Sequence, residues 1–202
     1  MSTAGVLASV TALLQRTLEN GLVEYGVTSQ VGGDVTISVL PPDRVSSGSE
    51  ERAQLNVFLY HLAPHAAVRT AAVREGDATT PPVLSLDLHY LITAYGGHDY
   101  QAEILLGHAL QILNAIRVLT PERIRRLLGA GTGTGRRIDS PGPASTFAAV
   151  LDGELRSIKI VQQFPSVDEM LKLWSSLQAR YRPSLAYRLS AVLLEIPHAH
   201  VA

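Results

Sequence analysis

The chain has 202 residues, of which 46% are apolar, and its 17 basic residues nearly balance 18 acidic ones. That length fits one domain with a full hydrophobic core, the balanced charge argues against a nucleic-acid partner, and the absence of cysteine excludes disulfides, thiolate catalysis and cysteine-based zinc sites. Because no basic residue precedes the first apolar stretch and no apolar run approaches the ~20 residues of a membrane span, we expect a soluble, cytoplasmic protein with no direct membrane span.

The N-terminal part of the chain predicts a helix, a strand and a polar loop. In residues 6–18 the apolar side chains recur at helical spacing, and Gly21 is the predicted end of this helix. Residues 35–40 are predicted to form a strand closed by two prolines. Residues 44–51 contain three serines and a glycine and are predicted to form a polar loop.

Two further strands are predicted, and their faces are patterned differently. In residues 54–62 both alternating sets of side chains are mostly apolar, the set that contains Leu55 and the set that contains Tyr60. This strand is therefore expected to be central in the sheet or covered on both sides. Residues 84–93 show the cleanest period-two alternation in the chain and predict the second strand.

The middle of the chain predicts two helices and a flexible loop. Residues 100–119 carry a continuous apolar stripe at helical spacing. Thr120 is a good N-cap and Pro121 suits the first helical position, so a short helix through residue 128 should follow. Residues 129–143 are rich in glycine and proline and predict a flexible loop.

The C-terminal part of the chain predicts two strands around one helix. Residues 155–161 form the first predicted strand, and residues 186–196 form the second. Between them, Ser166 and Glu169 have the spacing of a capping box, which starts a helix that should run to about residue 179.

The order of these elements predicts an α+β fold. We expect a single domain over residues 1–197, with a mixed or mostly antiparallel sheet packed with about four helices. Residues 198–202 form a short tail after this domain. No internal repeat occurs in the sequence.

A glycine-rich stretch at residues 129–135 invites comparison with phosphate-binding loops. Such loops follow a strand, open a helix and end in Gly-Lys-Ser/Thr. Here the stretch follows a predicted helix and is followed by Arg136 and Arg137. A surface loop is therefore the favoured interpretation.

The seven histidines are His61, His65, His89, His98, His108, His198 and His200. A catalytic zinc site needs three convergent ligands, and the His-Glu-x-x-His motif is absent. Asp99, next to His98, is predicted to cap the following helix. Asp87 and His89 share one strand face and could meet a third group. These observations predict no catalytic residue, cofactor or metal, and hence no enzyme.

Aromatic and arginine side chains accumulate late in the chain, and these residue types dominate the binding energy of protein interfaces. Trp174 is expected in the core, where it would anchor its helix, and Arg180 and Arg182 are expected at the surface. The candidate contacts to subunits or partners are Arg180, Tyr181, Arg182, Tyr187 and Arg188, with Arg136 and Arg137 in the glycine-rich loop.

Several sequence blocks in a fixed order resemble a known family. They are SVT at 9–11, LNVFLY at 55–60, LDLHYLITAY at 86–95 after Pro81 and Pro82, ILLG at 104–107, MLKLW at 170–174, and YRPS and LAY at 181–187. Together they resemble the domain found at the N-terminus of cap proteins, or tail terminators, of contractile injection systems and other phage-tail-like particles. The blocks cover nearly the whole chain.

The resemblance implies a structural role in assembly. Caps of this kind form a six-fold ring at the end of the inner tube and sheath, stop polymerisation and hold the sheath extended. The implied partners are the chain itself, as a homohexamer, and the sheath and inner-tube proteins of the particle into which it is incorporated. The resemblance supplies no catalytic residue.

Two alternatives to the cap remain open at this point. One is a baseplate or adaptor subunit of the same particle, and the other is a small ligand- or metal-binding enzyme domain that uses Asp87, His89 or the glycine-rich loop. For the cap, strand addition at a sheet edge would anchor the last sheath ring, because main-chain hydrogen bonds do not require a particular sequence. The predicted strand at 186–196, with the tail behind it, is the candidate donor or edge.

Overall fold

The computed structural model describes residues 5–65, 83–129 and 157–195. Six strands and five α-helices lie within these ranges. The helices are α1 (Val6–Glu24), α2 (Val27–Val31), α3 (Gln101–Ala115), α4 (Pro121–Gly129) and α5 (Val167–Ser176). The strands are β1 (Thr36–Ser38), β2 (Gln54–Pro64), β3 (Val83–Tyr95), β4 (Val118–Leu119), β5 (Ile158–Gln163) and β6 (Ser184–Glu195). The predicted α+β class is confirmed.

The six strands form one sheet in the order β1-β2-β3-β6-β5-β4. Only β1 and β2 run parallel, and every other neighbouring pair is antiparallel, so the predicted mixed, mostly antiparallel sheet is confirmed. From Ala186 to Leu189, β6 pairs with β3 on one side and with β5 on the other. The prediction that this strand is an edge or a donor is therefore wrong over these residues, whereas residues 192–195 pair with β3 alone and the tail lies outside the described residues.

The first face of the sheet packs on α1 and α3 and forms the main core. Leu88, Tyr90 and Ile92 of β3 point into it, with Leu55 of β2 and Leu189 of β6 beside them. The Tyr90 hydroxyl lies 2.9 Å from the Thr11 hydroxyl of α1, so this buried polar group is satisfied. The alternation of β3 predicted this face correctly.

Gly21 does not end the first helix, and that prediction is wrong. The helix continues to Glu24, and Gly26, with a φ of 61°, follows its C-cap. A Cβ added at Gly21 would lie 2.6 Å from the Ile112 side chain. The glycine is therefore a close-contact position between α1 and α3, which no local signal distinguishes from a helix end.

Two predictions about α3 are also wrong. Asp99 does not cap it: the N-cap is Tyr100, in the left-handed region, and it makes no side-chain capping bond. Instead, the Gln101 side chain accepts a hydrogen bond from the His98 N–H at 3.1 Å. The helix ends at Ala115, and Leu119, predicted to be in it, belongs to β4.

The predicted starts of the next two helices are confirmed. The Thr120 hydroxyl accepts from the Arg123 N–H at 3.4 Å at the start of α4. Ser166 and Glu169 form the complete capping box of α5. That helix ends at Ser176, three residues earlier than predicted. Gln178, with a φ of 52°, turns the chain there.

The remaining boundaries differ by a few residues. The strand predicted at 35–40 shortens to β1, the loop at 44–51 follows a 3-10 turn at Pro42–Arg44 and contains another at Gly48–Glu50, and the strand predicted at 155–161 is β5. Residues 130–143 of the predicted flexible loop, with Arg136 and Arg137, lie outside the described residues, as do the domain boundary at residue 197 and the tail.

Candidate assembly surfaces

The second face of the sheet is covered by α5 over part of its area. Met170 and Trp174 of this helix pack on Leu91 of β3 to form a small separate core. Tyr60 and Leu173 border it. Trp174 is buried, as predicted, and its indole N–H has no hydrogen-bond partner among the described residues.

An ion pair fastens three distant segments at one end of this face. The Arg182 guanidinium donates to both oxygens of Glu51, at 2.7 and 2.6 Å, and lies 4.6 Å from the centre of the Tyr95 ring. The Gly96 N–H donates to the same carboxylate at 3.0 Å. Burial alone would raise the pKa of Glu51, but the hydrogen bonds from Arg182 and Gly96 lower it below the ordinary value. We call this group the Glu51–Arg182 clasp.

The predicted contact residues occupy very different positions. Arg180 is exposed, and Tyr181 is 50% exposed with its ring against the edge of Trp174. Arg182 is held in the clasp, and Tyr187 is 1% exposed in the main core, where burial raises its pKa to about 12. Within the chain, Arg182 and Tyr187 therefore have packing roles, and a contact between subunits stays a prediction for each residue of the set.

The alternation of side chains along β6 indicates that Tyr187 and Arg188 lie on opposite faces of the sheet. Tyr187 shares its face with Leu185 and Leu189, whereas Arg188 lies on the opposite face. Arg188 is partly exposed, and its guanidinium lies 3.7 Å from the Asp87 carboxylate. The predicted pair of neighbours thus belongs to two different sides of the sheet.

An apolar stripe on the outer side of α5 was not predicted. Phe164, just before the helix, is 83% exposed, and Val167 and Leu171 are 69% and 48% exposed. Val167 and Leu171 are four residues apart and lie on one side of the helix, and Phe164 stands just before its N-cap. The spacing of Val167 and Leu171 is visible in the sequence. Exposed apolar clusters of this kind are typical of protein contacts.

The two edges of the sheet are short. β1 contributes three residues and β4 two, and α1 partly covers β1 because the Gln15 amide donates to the Ile37 carbonyl at 2.9 Å. Short edges are a common protection against unwanted strand pairing. An added strand could pair at these edges or with β2 and β5 beyond them, because β1 pairs with only three residues of β2 and β4 with only two of β5.

Asp87 contacts a titratable side chain other than His89, as its position in the sequence allowed. The partner is His65, whose Nδ1 lies 2.7 Å from the carboxylate, and His89 instead lies beside His61 with ring centres 5.3 Å apart. Burial, followed by His61 and Arg188, lowers the pKa of His89. Across residues 5–65, 83–129 and 157–195, no three histidine or carboxylate side chains converge as metal ligands.

Among the helices of the described part of the chain, none has the length and apolar character needed to cross a membrane. The fold and these surfaces define an α+β domain with one face devoted to the core and one face partly open.

Comparison with known proteins then gives the family. The family described as the Pvc16 N-terminal domain matches residues 9–200, so the chain belongs to this family. The resemblance seen in the sequence blocks is confirmed. No curated protein matches the sequence.

Two solved structures are similar to the chain. One is the sheath/tube terminator, in its extended state, of an extracellular contractile injection system called PVC, with 18% identity and a TM-score of 0.47. It is matched over 89% of this chain and 57% of its own. The other is the tube-terminating cap of the anti-feeding prophage, with 21% identity, a TM-score of 0.49, and coverage of 88% and 54%. The chain thus spans just over half the length of each.

Proposed function

We propose that this domain is a non-enzymatic cap of a contractile injection system. It forms a homohexameric ring on the end of the inner tube and sheath, stops their polymerisation and holds the sheath extended. The observation that carries the proposal is the family match over residues 9–200, because it covers nearly the whole described domain rather than one motif. After synthesis in the cytoplasm the chain is incorporated into the particle.

The mechanism follows from the geometry of open stacks. Tube and sheath grow because each ring offers the next ring a docking face. A closed ring that fits the last face, and offers no equivalent face of its own, ends the stack. Such a ring needs a rigid subunit, and the continuous core between the sheet and α1 and α3 provides that rigidity.

The surroundings of the Asp87 carboxylate support the proposal that the domain is not an enzyme. The Asp87 carboxylate is mostly buried and already bound to His65, with Arg188 nearby. A general base needs an open approach to a substrate proton. This arrangement favours a structural or binding role for the group over catalysis.

The proposal is tested by imaging particles from cells that lack the protein. We expect tubes and sheaths of uncontrolled length, or sheaths that have contracted, and restoration of uniform extended particles when the wild-type chain is supplied. Uniform, extended particles without the protein would refute the cap. Particles of normal length with a damaged baseplate would assign the chain to the baseplate instead.

The ring is tested separately by the native mass of the protein bound to purified particles after crosslinking. A species of six copies at the end distant from the baseplate is expected. Single copies scattered along the sheath would contradict the ring, even if particle length depends on the protein.

A further inference from the structure

Three basic side chains stand side by side on the open part of the second face. His61 of β2 is directly opposite His89 of β3, and His89 is directly opposite Arg188 of β6. Neighbouring strands lie about 4.8 Å apart, so the three positions span about 10 Å across the sheet. We call them the basic row.

A bulge in β2 creates this row. The register of β2 against β3 shifts between Leu59 and His61, so Tyr60 has no directly opposed partner. Without the shift, alternation would place His61 on the core face. The extra residue brings it next to His89, and bulges commonly redirect side chains in this way.

The row is unfavourable for the isolated chain. Like charges directly opposite each other destabilise a sheet, so protonating either histidine beside its basic neighbours in the row is unfavourable. The nearest carboxylate, Asp87, is bound at 2.7 Å by His65 and lies 3.7 Å from Arg188. The Arg188 Nε is buried and has no hydrogen-bond partner among the described residues. The row therefore offers donors and positive charge with too little carboxylate to satisfy them.

The row is open to a partner. His61 is exposed, and the Arg188 side chain is 36% exposed. On the next strand, β5, the exposed Lys159 adds a further cation on the same face, diagonal to Arg188. The Tyr60 ring meets His89 edge-on, at 6.1 Å, and separates the row from α5.

We propose that the basic row is a docking site for an acidic segment of a partner protein. Arg188 binds one carboxylate through its forked donors, and the imidazoles of His61 and His89 bind the next. In an extended segment, alternate side chains are about 7 Å apart, so two successive ones fit within the row's span of about 10 Å. The chemistry stands on this geometry alone, whereas naming the partner as a subunit of the injection particle rests on the proposed function.

A protein segment fits the row better than a nucleic acid does. Phosphate backbones are bound by extended stripes of several lysines and arginines, and the chain as a whole has a net charge of −1. Asp87 and, from α5, Glu169 near Tyr60 place negative charge at the borders of the row. A short acidic segment can avoid both, but a continuous phosphate chain would have to cross them.

The docking should strengthen as the pH falls from about 8 to about 6, because a protonated imidazole attracts a carboxylate more strongly than a neutral one does. The other charged groups around the imidazoles are Asp87 on β3, Arg188 on β6, Lys159 on β5, His65 after β2 and Glu169 on α5.

The test uses the full chain and a labelled octaglutamate peptide, with fluorescence anisotropy at low salt. The wild-type protein should bind this peptide and not an octaglutamine peptide. Arg188→Gln should weaken binding about tenfold, equivalent to the loss of one charge-assisted contact. The matched control is Arg123→Gln, an exposed arginine of α4 outside the row, which should bind as the wild type does.

A second variant protects the test against misfolding. His61→Gln with His89→Gln keeps hydrogen-bonding capacity but removes titration, so binding should persist at pH 8 and lose its increase at lower pH.

Unchanged binding by Arg188→Gln, or no binding of octaglutamate by the wild type, would overturn the proposal. Tighter binding of a single-stranded DNA of equal charge would reassign the row to phosphates. If the protein alone forms an oligomer that the Arg188→Gln change dissociates, a second copy of the chain is the occupant of the row. The DNA result and the oligomer result would each reject the acidic-partner proposal. None of these results depends on the particle phenotype, so the cap and the docking site can fail independently.

Discussion

The two faces of the sheet differ in how completely apolar side chains cover them. The first face is a continuous apolar layer in which side chains from α1, α3 and three long strands interlock. The second face has one small core under α5, a clasp at one end and a row of polar side chains at the other. One face therefore supplies most of the stability, and the other is free to carry groups that cost stability when the chain is alone.

The largest effect is expected on the first face. Leu14→Ala should lower the free energy of unfolding by about 2–5 kcal/mol, because this side chain is fully buried and its removal leaves a cavity. Urea denaturation measures the change. Leu171→Ala on the outer side of α5 is the matched control and should stay within about 0.5 kcal/mol. Equal losses in both would contradict the difference between the faces.

The second largest loss in the free energy of unfolding is expected at the Glu51–Arg182 clasp. Arg182→Ala leaves the Glu51 carboxylate without its main donor in a poorly hydrated position, and should cost about 2 kcal/mol in the same measurement. Arg180→Ala, two residues earlier and exposed, should cost little. The double variant of Glu51 and Arg182 to alanine should lose less than the sum of the single changes, and simple additivity would show that the clasp does not act as a unit.

A smaller effect is expected from the capping box of α5. Ser166→Ala removes the side-chain acceptor for the Glu169 N–H and should destabilise the protein by about 1 kcal/mol. Ser175→Ala, an exposed serine inside the same helix, is the control and should be neutral or slightly stabilising. A loss of equal size in both variants would mean that helix propensity rather than capping decides.

The smallest effect concerns pH and the basic row. The pKa of His89 in the folded protein is lowered, so above its ordinary value of about 6.5 the group is neutral in both states and has no effect. As the pH falls further, the unfolded chain takes up the proton more readily and the folded state loses stability. His89→Gln should reduce this loss between about pH 7 and pH 5, as followed by thermal unfolding. The contribution of Glu51 changes at lower pH, in the carboxyl range, and so remains separable.

Local sequence signals predicted the elements well where they did not depend on distant partners. The alternation of residues 84–93 gave β3, and Ser166 with Glu169 gave the start of α5. Gly21 was misread because its role is set by Ile112, more than ninety positions away in the sequence. Asp99 and Leu119 were misplaced because the turn after β3 and the pairing of β4 with β5 outweighed helix signals.

The open face could be predicted only in part. Of the exposed stripe, the helical spacing of Val167 and Leu171 was present in the sequence. The basic row was not predictable, because it depends on the register of three strands and on one bulge in β2. Nothing in the residues around His61 shows which face it will join. Likewise, the clasp joins positions 131 residues apart, and no local pattern marks such a pair.

The central position of β6 has a consequence for biosynthesis. This strand follows every other described element in the chain, yet it lies between β3 and β5. Until it has left the ribosome, the long side of β3 stays unpaired, and β5 has only the two residues of β4 as a neighbour. Joining β5 to β3 must therefore wait for β6, and until then nascent chains present an open pairing edge on β3 that is vulnerable to aggregation. Pulse-proteolysis of stalled chains that end before Ser184 should find β5 unprotected.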